Sequence, residues 1–238
     1  MADHSSYRFL GDDWRLVRSI TTGKAMKPDI LILEKEGRSL VAKDFRGRNR
    51  FVRWIWGPLN LAYEKFILGK LDGVEGIPRV IGLEDYNCLL LSRIDGDEIK
   101  KRSANLNEDF FPRLFAIAAR LHERGVVHLD LGHKSNVMVD RAGNPGIIDF
   151  NISLYLPPNR FFKPLIRLLA RIDNYSILRL KVKYRPQEAS AKEKRQVKNF
   201  LRLRKLWIFD RLVRNLTNLS KNKNRPAPGP SETGKRNA

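Results

Sequence analysis

Val126-Val-His-Leu-Asp-Leu-Gly-His-Lys-Ser-Asn-Val-Met-Val-Asp140, followed five residues later by Gly146-Ile-Ile-Asp-Phe-Asn151, is the stretch on which the reading of this sequence turns. Val126 to His128, Asn136 to Val139 and Gly146 to Ile148 are short apolar runs that read as strands. Arg141-Ala-Gly-Asn144 reads as a hairpin turn between the last two. Asp130, Asn136 and Asp149 therefore fall at strand ends, where loops on a rigid support carry chemistry.

Upstream, Phe110 to Arg124 places Phe111, Leu114, Phe115, Ala118 and Leu121 on one helical face. Earlier still, Trp14–Ile20, Asp29–Glu34 and Ser39–Asp44 are β-rich runs parted by turn-forming residues, which predicts three antiparallel strands. A helix is expected from Leu59 to Leu71, entered through Pro58, with Leu59, Ala62, Tyr63, Phe66, Ile67 and Leu71 at helical spacing. Two more strands are expected around Arg79–Leu83 and Cys88–Ser92, joined by the turn Glu84–Asn87. Downstream, Phe161–Leu180 and Ala191–Leu219 alternate apolar and basic residues at helical intervals. The composition of the last residues, rich in Pro, Gly, Ser and Lys, predicts a disordered tail. The expected fold class is α+β: a small antiparallel sheet with one helix, then a mainly helical portion. The divisions expected are an N-terminal segment 1–13, a first lobe 14–94, a second lobe 95–186, a basic amphipathic segment 187–220 and a tail 221–238.

The chain has 238 residues, with Lys+Arg 46 against Asp+Glu 26 and a formal charge of +20. With 42% hydrophobic residues it can bury a substantial core, which excludes an acidic disordered chain. Cys88, the single cysteine, cannot form an intramolecular disulfide or a cysteine-based zinc site, and this fits a reducing compartment. No export signal opens the sequence and no apolar run reaches the roughly 20 residues needed to span a bilayer, so a cytoplasmic location is expected. From Lys181 to the end there are 17 basic and 4 acidic residues. That concentration points to a polyanion, either an anionic membrane surface or, less favoured, nucleic acid. Arg46, Arg48, Arg50 and Arg53 lead into Trp54-Ile-Trp56, a combination suited to a membrane–water interface. Phe161–Arg171 and Phe200–Asp210 read as basic amphipathic helices, the first serving a core and the second a surface.

Phosphoryl transfer from ATP needs a cation on the phosphates, a carboxylate that organises it, metal ligands, and a group that orients the attacking hydroxyl. Lys43, in Leu40-Val-Ala-Lys43, Glu64, Asp130, Asn136 and Asp149 supply these groups in order. The quoted stretch resembles the H-x-D-L…N loop and the D-F-G element of protein-kinase-like enzymes, and Leu40–Lys43 resembles their lysine strand. Leu121 to Leu131 resembles bacterial lipopolysaccharide core kinases of the Kdo/heptose type and the related RIO-like kinases, with a likeness spanning about residues 14 to 185. The resemblance implies a two-lobed protein-kinase-like fold, an antiparallel-sheet N-lobe and a mainly helical C-lobe, and the use of ATP and Mg2+. It implies Asp130 as the catalytic residue and Asn136 and Asp149 as Mg2+ ligands, hard cations preferring such oxygens. Lys43, paired with Glu64, would hold the nucleotide, with Thr22 and Gly23 over the phosphates and Ser92 and Ile94 where Ile94-Asp-Gly-Asp97 joins the lobes.

The sequence departs from the protein-kinase pattern at several points. One glycine, Gly23, stands where a Gly-rich loop is expected, leaving phosphate contact to the backbone amides of Thr21, Thr22 and Gly23. Asn136 stands six residues after Asp130, with Ser135 at the usual position, and Asn151 replaces the glycine of D-F-G. No A-P-E element follows Asp149, which lowers the expectation of a typical peptide platform. His128 is read as structural, beneath the loop, and the histidines have no zinc spacing. The leading expectation is a kinase for a core-sugar hydroxyl of a lipid-linked glycan at the cytoplasmic face of the inner membrane. A RIO-like protein serine/threonine kinase is the alternative, and a non-catalytic kinase-like module binding membrane or RNA is a third.

Overall fold

The computed structural model describes residues 6–9, 12–20 and 24–206. The chain divides into two compact units, Met1–Ala189 and Ser190–Ala238. The first begins with six antiparallel strands: β1 (Ser6–Phe9), β2 (Asp12–Ile20), β3 (Asp29–Lys35), β4 (Arg38–Asp44), β5 (Val80–Asp85) and β6 (Cys88–Ser92), ordered β1-β2-β3-β4-β6-β5. Within the expected N-terminal segment 1–13, Ser6–Phe9 pairs with Asp12–Arg15 as an edge strand. Side chains alternate across the pleat. Cys88 and Leu90 join Trp14, Leu31, Leu33, Leu40 and Ala42 in a small apolar cluster, while Leu89 and Leu91 enter the main core. Lys43 lies opposite Leu89 in the β4–β6 ladder, so its side chain is sent toward the main core with that leucine.

A wide helical turn at Val52–Trp56 runs directly into α1 (Gly57–Lys70). The helix forms as its spacing predicts, but it turns a different side inward. Leu61, Glu64, Ile67 and Leu68 are buried, whereas Leu59, Tyr63 and Phe66 are exposed. Apolar residues surround most of this helix, so periodicity alone does not select a face; the buried Glu64 does.

The second half contains β7 (Gly96–Glu98), α2 (Ile99–Arg102), α3 (Phe110–Glu123), β8 (Val126–Val127), β9 (Val137–Asp140), β10 (Pro145–Ile147), β11 (Leu154–Tyr155) and α4 (Lys163–Tyr184). Strands β10, β9 and β7 form one small sheet, and β11 pairs with β8. Phe111, Leu114, Ala118 and Leu121 of α3 are buried as the pattern predicts, together with Phe110. They share the main core with Ile177 and Leu180 of α4, with Val126, Val137, Val139 and Ile147 of the strands, and with Phe150 just after Asp149. That core supports the quoted stretch from beneath.

In the second unit, α5 (Ala191–Leu206) is described. Ser190 Oγ accepts the Glu193 backbone N–H at 3.2 Å and Glu193 Oε2 accepts that of Ser190 at 2.7 Å, a reciprocal cap that fixes the helix start. The expected basic helix is described as far as Leu206; its remainder from residue 207, including the last four residues of Phe200–Asp210, and the expected tail lie outside the described residues.

Gly125 ends α3 at φ +79°. Its N–H donates to His122 O at 3.0 Å, its carbonyl accepts from Leu156 N at 2.8 Å, and a Cβ there would run into the Leu156 carbonyl oxygen. Gly125→Ala is therefore expected to destabilise the protein by at least about 1–3 kcal/mol, the usual cost of a left-handed non-glycine residue. Urea denaturation would show this as a lowered midpoint.

Candidate active site

Lys43, at the end of β4, and Glu64, on the buried side of α1, meet in the interior. Lys43 Nζ donates to Glu64 Oε1 at 2.6 Å and Oε2 at 2.8 Å, and to Asp149 Oδ1 at 3.2 Å. Burial opposes the charge on Lys43, but the two carboxylates outweigh it and hold the ammonium above the ordinary lysine value. Burial also pushes the Glu64 carboxyl up, against the pull of Lys43. We read the pair as ionised at neutral pH, because both Glu64 oxygens receive the ammonium at short distance. The Phe150 backbone N–H adds a third hydrogen bond to Glu64, at 3.3 Å.

Asp149 has φ +69°, a conformation that aspartate tolerates better than most residues. Its Oδ1 accepts from Lys43 and, at 2.7 Å, from Asn151 Nδ2. Burial would raise its pKa, but Lys43, followed by Lys27, holds it below the usual carboxylate value. Asn151 thus adds a side-chain donor where a glycine would bring none.

Asp130 lies in the loop between β8 and β9. Asn136 Nδ2 donates both to its backbone oxygen, at 3.1 Å, and to its Oδ2, at 2.9 Å. Ser135 Oγ in turn donates to Asn136 Oδ1 at 3.2 Å. The extra residue in the spacing therefore leaves Asn136 beside Asp130, and Ser135 supports its amide. The two halves of the site are joined through Ile148, which precedes Asp149: its N–H donates to Asn136 O at 2.9 Å, and its carbonyl accepts from His128 Nε2 at 3.2 Å. Burial lowers the His128 pKa, keeping the ring neutral. With Nε2 as donor, Nδ1 is free to accept the Asp130 N–H at 3.3 Å, a tautomer assigned from this bonding pattern.

Sequence reasoning passed over Asp173. Fully buried on α4, it accepts the His128 N–H on Oδ2 and the Leu129 N–H on Oδ1, each at 2.8 Å, and Oδ2 also lies 3.0 Å from His122 Nε2. Leu129 has φ +65°, and the Asp173 carboxylate secures that unfavourable turn immediately before Asp130. The available signal was a lone acid at the centre of an otherwise apolar and basic helix, Leu165-Ile-Arg-Leu-Leu-Ala-Arg-Ile-Asp173.

Ser92 and Ile94 do not contact this cluster. Ser92 Oγ accepts the Arg79 N–H at 2.8 Å, and Ile94 packs against Gly146. Thr22 and Gly23, with Thr21, lie outside the described residues. Among the described residues no group of three or more His, Cys, Asp or Glu is arranged to hold a metal. The chemistry of the donor set still fits one hard cation: Asn136 Oδ1 is an amide oxygen, and no described donor reaches Asp149 Oδ2.

Asp173→Ala leaves two backbone N–H groups without their acceptor. The expected loss is roughly 2–5 kcal/mol from the desolvation cost of those donors. Asp173→Asn, which keeps one oxygen, should lose less; denaturant titration of both variants measures the difference.

No family model matches the chain, and no curated protein matches it in sequence. Its structure is similar to that of Rio2 kinase from Chaetomium thermophilum, described as an ADP/Mg2+-phosphoaspartate complex, with a TM-score of 0.52 and 19% identity over 76% of this chain and 60% of that one. A second structure of Rio2 kinase from Chaetomium thermophilum gives 0.50 and 20%, over 71% and 58%. The chain thus spans about 60% of the length of these neighbours. The likeness establishes the fold: α+β, with the two-lobed architecture of the protein-kinase-like proteins.

Proposed function

We propose that this chain is a Mg-ATP-dependent phosphotransferase of RIO-like type, acting on a serine or threonine hydroxyl of a protein. The carrying observation is the Lys43 ammonium held between Glu64 and Asp149 at 2.6 and 3.2 Å, because a buried cation fixed beside a metal-binding carboxylate is the arrangement that grips nucleotide phosphates. The Rio2 kinase described with ADP and Mg2+ supports the same nucleotide and metal here. It favours the protein acceptor over a sugar, and an ATP-consuming site fits the cytoplasm.

Asn136 and Asp149 are the residues that would hold Mg2+, which when bound would neutralise phosphate charge and align the phosphates. Lys43 adds a positive charge to the same phosphates, and Glu64 keeps it pointed. Asn136 tethers Oδ2 of Asp130, leaving Oδ1 to take the proton of the acceptor hydroxyl. As the acceptor's hydroxyl oxygen bonds to the γ-phosphorus, the bond from the γ-phosphorus to the bridging oxygen breaks and ADP departs.

A sugar hydroxyl on a lipid-linked glycan is a second reading. It is favoured by the short chain between Asp149 and α4, where Leu154–Tyr155 pairs with β8 and Lys163 already begins the helix. That segment has little room for a peptide platform.

Asp130→Ala should lower Mg-dependent phosphate transfer by about 10²–10⁴-fold, the usual worth of a positioned acid–base group, while nucleotide binding persists. Lys43→Ala should weaken nucleotide binding itself, measured by calorimetry. Transfer by Asp130→Ala at the wild-type rate would remove the proposed chemistry. A radiolabelled acceptor panel of proteins and lipid-linked core oligosaccharides separates the two readings.

A further inference from the structure

The turn at Val52–Trp56 and the start of α1 carry an apolar surface that the proposed chemistry does not use. Phe51 is 62% exposed, Trp54 58%, Ile55 51% and Leu59 65%. Phe51, Ile55 and Leu59 recur every four residues, so they share one side of a continuous helical segment. Trp56 and Met26 extend the patch, the indole Nε1 donating to Met26 O at 3.0 Å, and Tyr86 stands 6.0 Å from Trp54 ring to ring.

The charge around these side chains has one sign over a long stretch. No Asp or Glu occurs between Phe45 and Tyr63. Two of the arginines first read as membrane-facing are engaged otherwise: Arg46 binds Asp44 at 2.7 Å and Arg48 binds Asp29 at 2.5 Å. Those contacts neutralise the nearby carboxylates. Lys24, Arg50 and Arg53 remain exposed, with no described carboxylate paired to them, and Arg53 lies 5.9 Å over the Trp54 ring; Lys27, also exposed, acts on Asp149 instead. Glu84 and Asp85 border the patch beside Tyr86.

We propose that the face formed by Phe51, Trp54, Ile55 and Leu59, with Arg50 and Arg53, docks on an anionic lipid surface. Projecting aliphatic and indole groups can enter the acyl boundary while guanidinium groups meet lipid phosphates. Nucleic acid makes use of exposed aromatics and cations but offers little to Ile55 and Leu59, and this favours lipid. The exposure of these side chains means that they contribute little to the core, so they can be changed without unfolding the chain.

The test is flotation of the full chain with vesicles containing about 30% phosphatidylglycerol in phosphatidylcholine, a typical anionic surface. The wild-type chain is expected to bind these vesicles, to ignore pure phosphatidylcholine, and to be released by added salt. Ile55→Ser with Leu59→Ser, and separately Arg50→Glu with Arg53→Glu, should each weaken binding at least about tenfold, given the additive apolar and charge contributions. Thermal midpoints of both variants should match wild type. The proposal is overturned if the wild-type chain does not prefer anionic vesicles or if both variants bind as tightly as wild type, which would assign lipid contact to the basic C-terminal stretch. It also fails if the variants lose single-stranded RNA and keep vesicles.

Discussion

An ammonium group enclosed by protein is tolerable only when carboxylates reach it, since an unpaired buried charge costs more than most single contacts return. Lys43 meets that condition with Glu64 and Asp149, which lie 21 and 106 residues away along the chain. The sheet, the helix after it and the strand pair of the second half must therefore converge on one point. The roll of α1 follows from this. Glu64 must face inward, so Leu61 and Leu68 go with it, and Leu59 and Phe66 are left outside. Tyr63 turns that outward side to use by donating its hydroxyl to Ser153 O at 2.6 Å, which ties the helix to the chain just past Asn151.

Beneath Asp130 a second buried charge does comparable work through the backbone. Asp173 accepts two consecutive N–H groups of the loop, and the neutral His128 ring bridges Asp130 to Ile148. Asn136 bonds to Asp130 through its side chain and to Ile148 through its carbonyl. The two acids of the proposed chemistry are thus set by a shared lattice of hydrogen bonds, a kind of network whose members support one another in a low-dielectric interior.

The sequence made legible what short-range pattern and residue chemistry determine. The strands Asp29–Glu34, Ser39–Asp44 and Cys88–Ser92 appear close to their expected limits, as does the helical face of Phe111, Leu114, Ala118 and Leu121. Lys43, Glu64, Asp130, Asn136 and Asp149 stood out because each carries a group that phosphoryl transfer requires. What stayed hidden depends on contacts distant in sequence. Nothing local marks Asp173 as the partner of residues 44 and 45 positions earlier. The buried side of α1 was obscured because its opposite side is also apolar. Ser6–Phe9 is too short to be told from a loop until β2 is beside it, and Arg46 and Arg48 look like free surface charge until Asp44 and Asp29 are placed.

Asn151 closes a clasp that a glycine would leave open: its amide and the Lys43 ammonium grip the same oxygen of Asp149. Rotation of that arm would break both bonds at once and strand a charge. The two donors come from opposite sides of the chain's order, one two residues away and one 106 residues back, so the pose of a single carboxylate reports on whether the sheet and the Ile148–Asn151 segment are seated together.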